Sequence, residues 1–350
     1  SPSSGGSFDE PNDPNRGDVH YWEVWHGNKP FSEYRKYFFR YASEFGFQSF
    51  PSVKTLETVT DDPKELNPFS YVMEKHQRNY GGNGKIAKYM QAAYRYPENF
   101  SDFVYASQLL QADGIRYGVE HYRRNRGRCM GAIYWQLNDC WPVISWSSID
   151  YYGRWKALHY YAKRFFAPVM LSCEEQSWMT VEADMNRQHF EFEKSIRLNV
   201  TNETLNAHRV LVKWAVRKTD ATILREEEQW LEVPALSAVW MDKVELPQID
   251  CFNEYVSYEA WENDQIISQG TVIFSYPKYF RYLNPGLTVR VDGDEIVVKA
   301  EAYAKSVEIR NENDDLILED NYFDMNAGEY RVKILDGKPD GLKVRSVYDI

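Results

Sequence analysis

Hydrophobic residues change their spacing once along the chain, near Pro168. Before it, apolar positions recur at roughly helical intervals in residues 64–79, 83–94, 101–124 and 154–164, which predicts four helices. Pro68 is tolerable only in the first turn of the first of them. The longest has Ser101 as its candidate N-cap, with Asp102 placed to favour the helix dipole. Two short, nearly unbroken apolar runs stand apart, at 40–45 and at 130–137 (MGAIYWQL). Such runs fit strands covered on both faces, as in a parallel sheet. The alternation of strand and helix predicts an α/β architecture.

After Pro168 the helical period disappears. Short alternating runs follow at 178–183, 195–200, 210–216, 230–233, 239–246, 255–261 and 265–274, with turn residues between them. This pattern predicts a β-sandwich. A second boundary falls near Ser275-Tyr276-Pro277. Beyond it, runs at 287–291, 295–300, 306–311, 316–318 and 329–335 predict a small β domain, with Asp292-Gly293 as a hairpin turn. The expected units are therefore 1–168, 169–276 and 277–350. Upstream of residue 150 only two convincing strands exist, and two parallel strands leave bare faces and unpaired edges. The first unit reads as the tail end of a larger domain.

Composition narrows the function. A formal charge of −11 argues against a nucleic-acid partner, because phosphate binding needs a basic surface. The arginines at 123, 124, 126 and 128 read as a solvated helix end. No run of eighteen apolar residues suggests a membrane span, and the opening SPSSGGSFDEPNDPNRGD is a polar loop without leader character. This favours a soluble, cytoplasmic chain without fixing the compartment. Four cysteines lack metal or redox spacing, and seven histidines show no HExxH, so neither a metal nor another cofactor is expected. Gly81 to Lys85 fails the phosphate-loop pattern, and no Gly-x-Ser-x-Gly element marks a serine hydrolase. Aromatics make up 16% of the chain, concentrated before residue 170, and can serve either as core or as platforms for sugar rings.

One carboxylate is placed to do chemistry. Glu44 closes the apolar run at 40–45, in the stretch SEFGFQS. At the C-terminal end of a barrel strand it could act as base or nucleophile; a salt bridge to Arg40 or a turn cap is the competing use. The second run ends in Trp135-Gln136-Leu137-Asn138-Asp139-Cys140-Trp141, which places indoles, amides and a carboxylate at one strand end. Such groups could hold sugar hydroxyls and stack on a pyranose face, or could close a buried tryptophan cluster.

Residues 43–49 closely resemble the nucleophile motif of glycoside hydrolase family 2, especially its β-mannosidases. MGAIYWQLNDCWPVISW (130–146) looks like the segment after their last barrel strand, and YWEVWHG (21–27) resembles the loop before their nucleophile strand. The resemblance implies the C-terminal part of a (β/α)8 TIM barrel followed by two immunoglobulin-like β-sandwich domains. It implies a retaining exo-hydrolase that removes terminal β-D-mannose through a glycosyl-enzyme intermediate. Glu44 would be the nucleophile and Trp135 would line the sugar subsite, with Trp25 and His26 approaching the pocket. Gln136, Asn138 and Asp139 would contact hydroxyls or support the loop. The partner would be a β-linked mannoside or a related oligosaccharide. The family's acid/base glutamate sits in an Asn-Glu pair on an earlier strand. The Asn-Glu pairs here, at 202, 253 and 311, fall in the β domains, so the chain reads as an incomplete enzyme lacking an N-terminal part. β-Galactosidase or β-glucuronidase specificity is the nearest alternative, and a non-catalytic carbohydrate-binding module is the other. No exposed aromatic stripe stands out in the later strands, which favours structural support for those domains.

Overall fold

The computed structural model describes residues 12–181 and 191–350. The predicted strand over 178–183 falls partly outside these residues, and its described start is a 3-10 turn at Trp178–Thr180. The first eleven residues of the polar opening also lie outside them.

The first unit is built from two paired strands, β1 (Val19–His20) and β2 (Ala42–Glu44). Five helices follow: α1 (Val53–Leu56), α2 (Tyr71–Lys75), α3 (Gly82–Ala93), α4 (Phe100–Arg124) and α5 (Ala157–Phe165). The helix expected over 64–79 shrinks to a 3-10 turn at Pro63–Glu65 and the five residues of α2. The α4 cap is Asn99 rather than Ser101; its side chain accepts from the Asp102 backbone N–H. β1 and β2 pair in parallel. The segment expected as a strand over 130–137 runs alongside β2, also in parallel, but registers as one bridge, Ala42 to Ala132. The reason is a slip. Ala42 N–H donates to Gly131 O and Ile133 N–H returns to Ala42 O, but Trp135 N–H reaches Phe45 O instead of Glu44 O.

α4 is buried over almost its entire length. Residues 45–50 and 145–148 have few strand partners, so their buried carbonyls need other donors. α4 supplies them. Gln111 Nε2 donates to the carbonyls of Phe47, Trp146 and Ser147 at 2.9, 3.0 and 3.1 Å, and Gln108 Nε2 donates to Phe50 O at 3.1 Å. The C-terminal end of α4 departs from expectation. Arg123 and Arg124 are buried rather than solvated. Arg123 donates to the carbonyls of Phe165 and Ala167, and Arg124 bridges Glu120 and lies beside Cys173 O. The β layer that follows packs over them. Beside them His121 is held neutral, its pKa lowered to about 3 by burial and by Arg124, and its Nε2 meets Tyr37 O at 2.8 Å.

The later strands form two immunoglobulin-like sandwiches. In the first, β3 (Val169–Gln176), β4 (Ser195–Asn202), β7 (Ser237–Trp240) and β8 (Val244–Glu245) form one sheet. It faces a sheet ordered β10 (Gln265–Ile273), β9 (Glu254–Glu262), β5 (His208–Lys218), β6 (Ile223–Val233). Strict alternation builds the core: Val210, Val212, Trp214 and Val216 on β5 all point inward. In this sandwich β3 is the strand the alternation pattern missed; in the last unit it missed Phe323–Met325 and Lys343–Arg345. The last unit stacks β11 (Thr288–Asp292), β12 (Glu295–Ala300), β16 (Gly328–Asp336) and β14 (Ile317–Leu318) against β15 (Phe323–Met325), β13 (Ala304–Arg310) and β17 (Lys343–Arg345). Its core is continuous with that of the helical unit, and Tyr105 on α4 donates to Ser306 O at 2.5 Å.

A buried ion cluster ties the helical unit to β3. Arg35 donates to Glu175 Oε2 and O at 2.6 and 2.7 Å, and Tyr117 on α4 donates to Glu175 Oε1. Burial pushes the Glu175 carboxyl up, but Arg35 and the Tyr117 hydroxyl outweigh it and hold the pKa below its ordinary 4.5. A carboxylate with a depressed folded pKa contributes stability above its unfolded pKa and loses it as pH falls through the folded value. Glu175→Gln leaves Arg35 buried without its counter-charge. It is expected to cost about 3–5 kcal/mol at pH 7 and to flatten the wild type's loss of stability below pH 4.5. Urea unfolding across pH 3 to 7 tests both, and an unchanged acid limb would remove Glu175 from that role.

Candidate active site

Glu44 sits at a bulge. Val19 pairs with Ala42 and His20 with Glu44, so one step on β1 matches two on β2. The slip against residues 133–135 falls on the same stretch. Two register faults beside one residue turn its side chain out of the simple alternation. The Glu44 side chain is 21% exposed. Trp22 Nε1 donates to its Oε2 at 3.0 Å, and His20 Nδ1 lies 3.0 Å from the same oxygen. The basic side chain beside the carboxylate is His20, not the Arg40 of the competing use. Ser43 Oγ, one residue back, donates to Asp18 Oδ2 at 2.6 Å and fixes the bulge from its other side.

Around this carboxylate the indoles divide into two sets. A turn brings His26 N–H to Trp22 O at 2.6 Å, so the rings of Trp22 and His26 lie 5.2 Å apart. His26 is exposed; burial and the Lys85 ammonium lower its pKa below 6.5, leaving it neutral at pH 7. The same turn swings Trp25 inward. Trp25 is fully buried against Phe47 and Trp146 at 5.0 and 6.1 Å, so it supports the site from beneath and does not line a pocket. Lys85 locks the turn by donating to the carbonyls of Trp25 and His26. Trp135 is 44% exposed and its N–H bonds the residue beside Glu44. Its bond to Gln136 is a cis peptide. Gly46 permits this approach: a Cβ there would fall 2.5 Å from Trp135 O and 2.9 Å from the Trp22 ring.

The remaining expected residues hold the loop. Gln136 Nε2 donates to Asn138 O and Asp139 Oδ1 at 3.0 and 3.2 Å. Exposed Asn138 makes one long bond, to Asp139 O. Asp139 is buried and accepts from Ser145 and Ser147 hydroxyls at 2.7 and 2.5 Å, so it supports the loop and does not face a ligand. Behind it, burial lowers the Lys156 pKa to about 8 against the opposing pull of Asp139 and Asp150. Sequence reading missed His20, Trp22 and Trp146. Trp22 stood inside the motif at 21–27, but only the turn shows that it, not Trp25, reaches the carboxylate. A cavity of ≈ 400 Å³ lies elsewhere, at the junction of α4, β10 and the last unit.

Comparison with known proteins defines a class first. Residues 194–279 match a mannosidase Ig/CBM-like domain and residues 282–350 an Ig-fold domain. The chain is β-mannosidase-like over nearly all its length, as its motifs imply. In particular, it is 29% identical to β-mannosidase B of Thermothelomyces thermophilus over 95% of this chain and 41% of that protein. A 173-residue stretch is 37% identical to the β-mannosidase of Capra hircus, covering 46% of this chain and 19% of that one. The crystal structure of the β-D-mannosidase from Dictyoglomus thermophilum superposes with a TM-score of 0.83 at 26% identity, over 97% of this chain and 41% of that one. The chain thus spans about two-fifths of the length of the Thermothelomyces and Dictyoglomus proteins.

The loop carboxylate gives a direct test. Asp139→Asn weakens the bonds from Ser145 and Ser147 and is expected to cost about 1.5–3 kcal/mol. Limited proteolysis is expected to cut residues 135–147 faster in the variant. Equal cleavage rates would show that the loop holds its shape without this charge.

Proposed function

We propose that this chain is the nucleophile-bearing C-terminal portion of a retaining β-mannosidase of glycoside hydrolase family 2. One observation carries the reading: Glu44, turned out at a bulge in β2, is held through a single oxygen, and exposed Trp135 is tied by its backbone N–H to the next residue, Phe45. The Trp22 bond falls on Oε2, and His20 Nδ1 lies against the same oxygen, which leaves Oε1 to attack. Oε1 forms the bond to the anomeric carbon as the bond to the leaving oxygen breaks. A second carboxyl, about 5–5.5 Å away, protonates that oxygen and then takes a proton from the water that frees the sugar. We assign this second group to the part of the whole enzyme that the chain does not span. Trp135 offers its ring to the C–H face of the sugar, and Gln136 and Asn138 stand next in line for its hydroxyls.

The same reading accounts for the parallel arrangement around β2. β1, β2 and residues 130–135 lie side by side, with α4 between the second and third, as in the closing strands of a (β/α)8 barrel. Phe38, Tyr41, Met130, Ile133 and Leu137 remain exposed beside them, an apolar face of the kind that the rest of a barrel covers. On this reading the units are 1–168 for the barrel portion, 169–276 and 277–350 for the two sandwiches.

The test uses the intact enzyme. Glu44→Gln is expected to lower kcat on an aryl β-mannoside roughly a thousandfold or more, with little change in the unfolding midpoint. Residues 1–350 alone are expected to be inactive. Unchanged turnover in the variant would remove Glu44 from the mechanism. A panel of aryl glycosides that favoured galactoside or glucuronide would overturn the sugar assignment while leaving the nucleophile in place.

A further inference from the structure

The outer face of the β10–β9–β5–β6 sheet carries a row that crosses all four strands. Trp230 on β6 stands opposite Leu211 on β5, Leu211 opposite Trp261 on β9, and Trp261 opposite Ile266 on β10. Their strand neighbours Val210, Val212 and Ala260 point into the core, so alternation puts the row on the opposite surface. Trp230 is 54% exposed and Ile266 42%. Further along, the same face is covered by the last unit, where Tyr255 stacks on Tyr303 at 3.8 Å. The absence of an aromatic stripe, expected from sequence, does not hold.

The row has the dimensions and chemistry of a sugar platform. Trp230 and Trp261 flank one strand, so their backbones lie two strand spacings apart, roughly 10 Å. That matches the separation of alternate rings in an extended β-1,4-linked pyranose chain. Both indoles are held in place. The Arg209 guanidinium lies 4.6 Å from the Trp230 ring centre, the Lys213 ammonium lies 5.3 Å from that of Trp261, and Trp261 Nε1 donates to Glu259 Oε2 at 2.8 Å. A cation lies over each ring; Trp230 is exposed and Trp261 partly so, and the ring area left open is what C–H stacking would use. Both cations are themselves paired, Arg209 with Glu232 and Lys213 with Glu228. Glu226, on the same face of β6, adds further negative charge. This rim disfavours a polyanion and suits an uncharged, hydroxyl-rich occupant. Ile266 also lines the junction cavity, together with Arg116, Asp113 and Gln269, so the row leads into a polar recess.

We propose that this row is a carbohydrate-binding surface that takes a neutral, extended, β-linked glycan chain. It rests on strand register and does not depend on Glu44 acting as a nucleophile.

Native gel electrophoresis of the full chain in soluble galactomannan tests it. The wild type is expected to be retarded, and Trp230→Ala/Trp261→Ala to bind on the order of tenfold more weakly with its unfolding midpoint unchanged. Leu224→Ala, on β6 but outside the row, is expected to behave as wild type. If the double variant melts early, Trp230→Ser alone carries the test, because that side chain is largely in solvent. Three results would overturn the proposal: an unretarded wild type in both galactomannan and glucomannan, equal retardation of the folded variant, or a wild-type dimer in size-exclusion chromatography that the double substitution dissolves.

Discussion

The architecture around Glu44 depends on the Gln111 carboxamide. Residues 45–50 and 145–148 are extended, buried and short of strand neighbours, and buried carbonyls without donors are costly. Gln111 reaches three of them and accepts the Ser49 hydroxyl at 2.7 Å. A polar side chain can do this only from a helix that is itself surrounded. α4 is therefore covered by the site segments on one side and by β3 and the last β unit on the others. The apolar and polar contacts of α4 are thus one constraint: the helix must be buried for its amides to organise the strand ends, and the strand ends supply part of the burial.

Given that frame, the bulge at Ser43 and Glu44 has a specific consequence. A regular parallel ladder would alternate the side chains of β2 between two packed faces. The extra residue breaks that alternation where the chain leaves the sheet, and two hydrogen bonds, from Ser43 to Asp18 and from Trp22 to Glu44, with His20 against the same carboxylate, hold the result. Gly46 then lets the Trp135 segment close over the far side. A carboxylate held this way has little orientational freedom to lose, the condition under which a nucleophile benefits most from its surroundings.

Much of this was legible in the chain and some of it could not be. The run ending at Glu44 and the run ending near Trp135 both read as strands of a parallel sheet, because unbroken hydrophobicity is what a doubly covered segment requires. The sandwich strands read from alternation, since one face of each is wet. The failures share a cause. Trp25 and Trp22 are both indoles in one short loop, and which faces outward is set by a turn that sequence spacing does not encode. Arg123 and Arg124 look like a solvated terminus until β3 covers them. Trp230 opens the alternating end of ILREEEQWLEV, an edge strand whose other side chains are nearly all exposed, so alternation turns it outward without naming its neighbours; only its register against Leu211 and Trp261 makes it part of a row. Hydrophobic period reports how far a residue is buried within its own element and is silent about which elements meet.

The two sandwiches are consequently more than appendages to the helical unit. Arg35 and Tyr117 grip Glu175 of the first, and Tyr105 grips Ser306 of the second. Each contact lands on α4 or on the 3-10 turn (Phe31–Lys36) packed against it. A helix of this length with polar residues on several faces cannot bury itself by an amphipathic stripe alone. The β units supply the missing cover and orient the amides that shape the Glu44 strand end. The outer face of the first sandwich shares in that packing at Tyr255, against Tyr303, while Trp230 at its other end stays exposed. The two indoles and the cations over them therefore stand where folding does not require them, and a surface that folding leaves unused is where a ligand's contribution is to be sought.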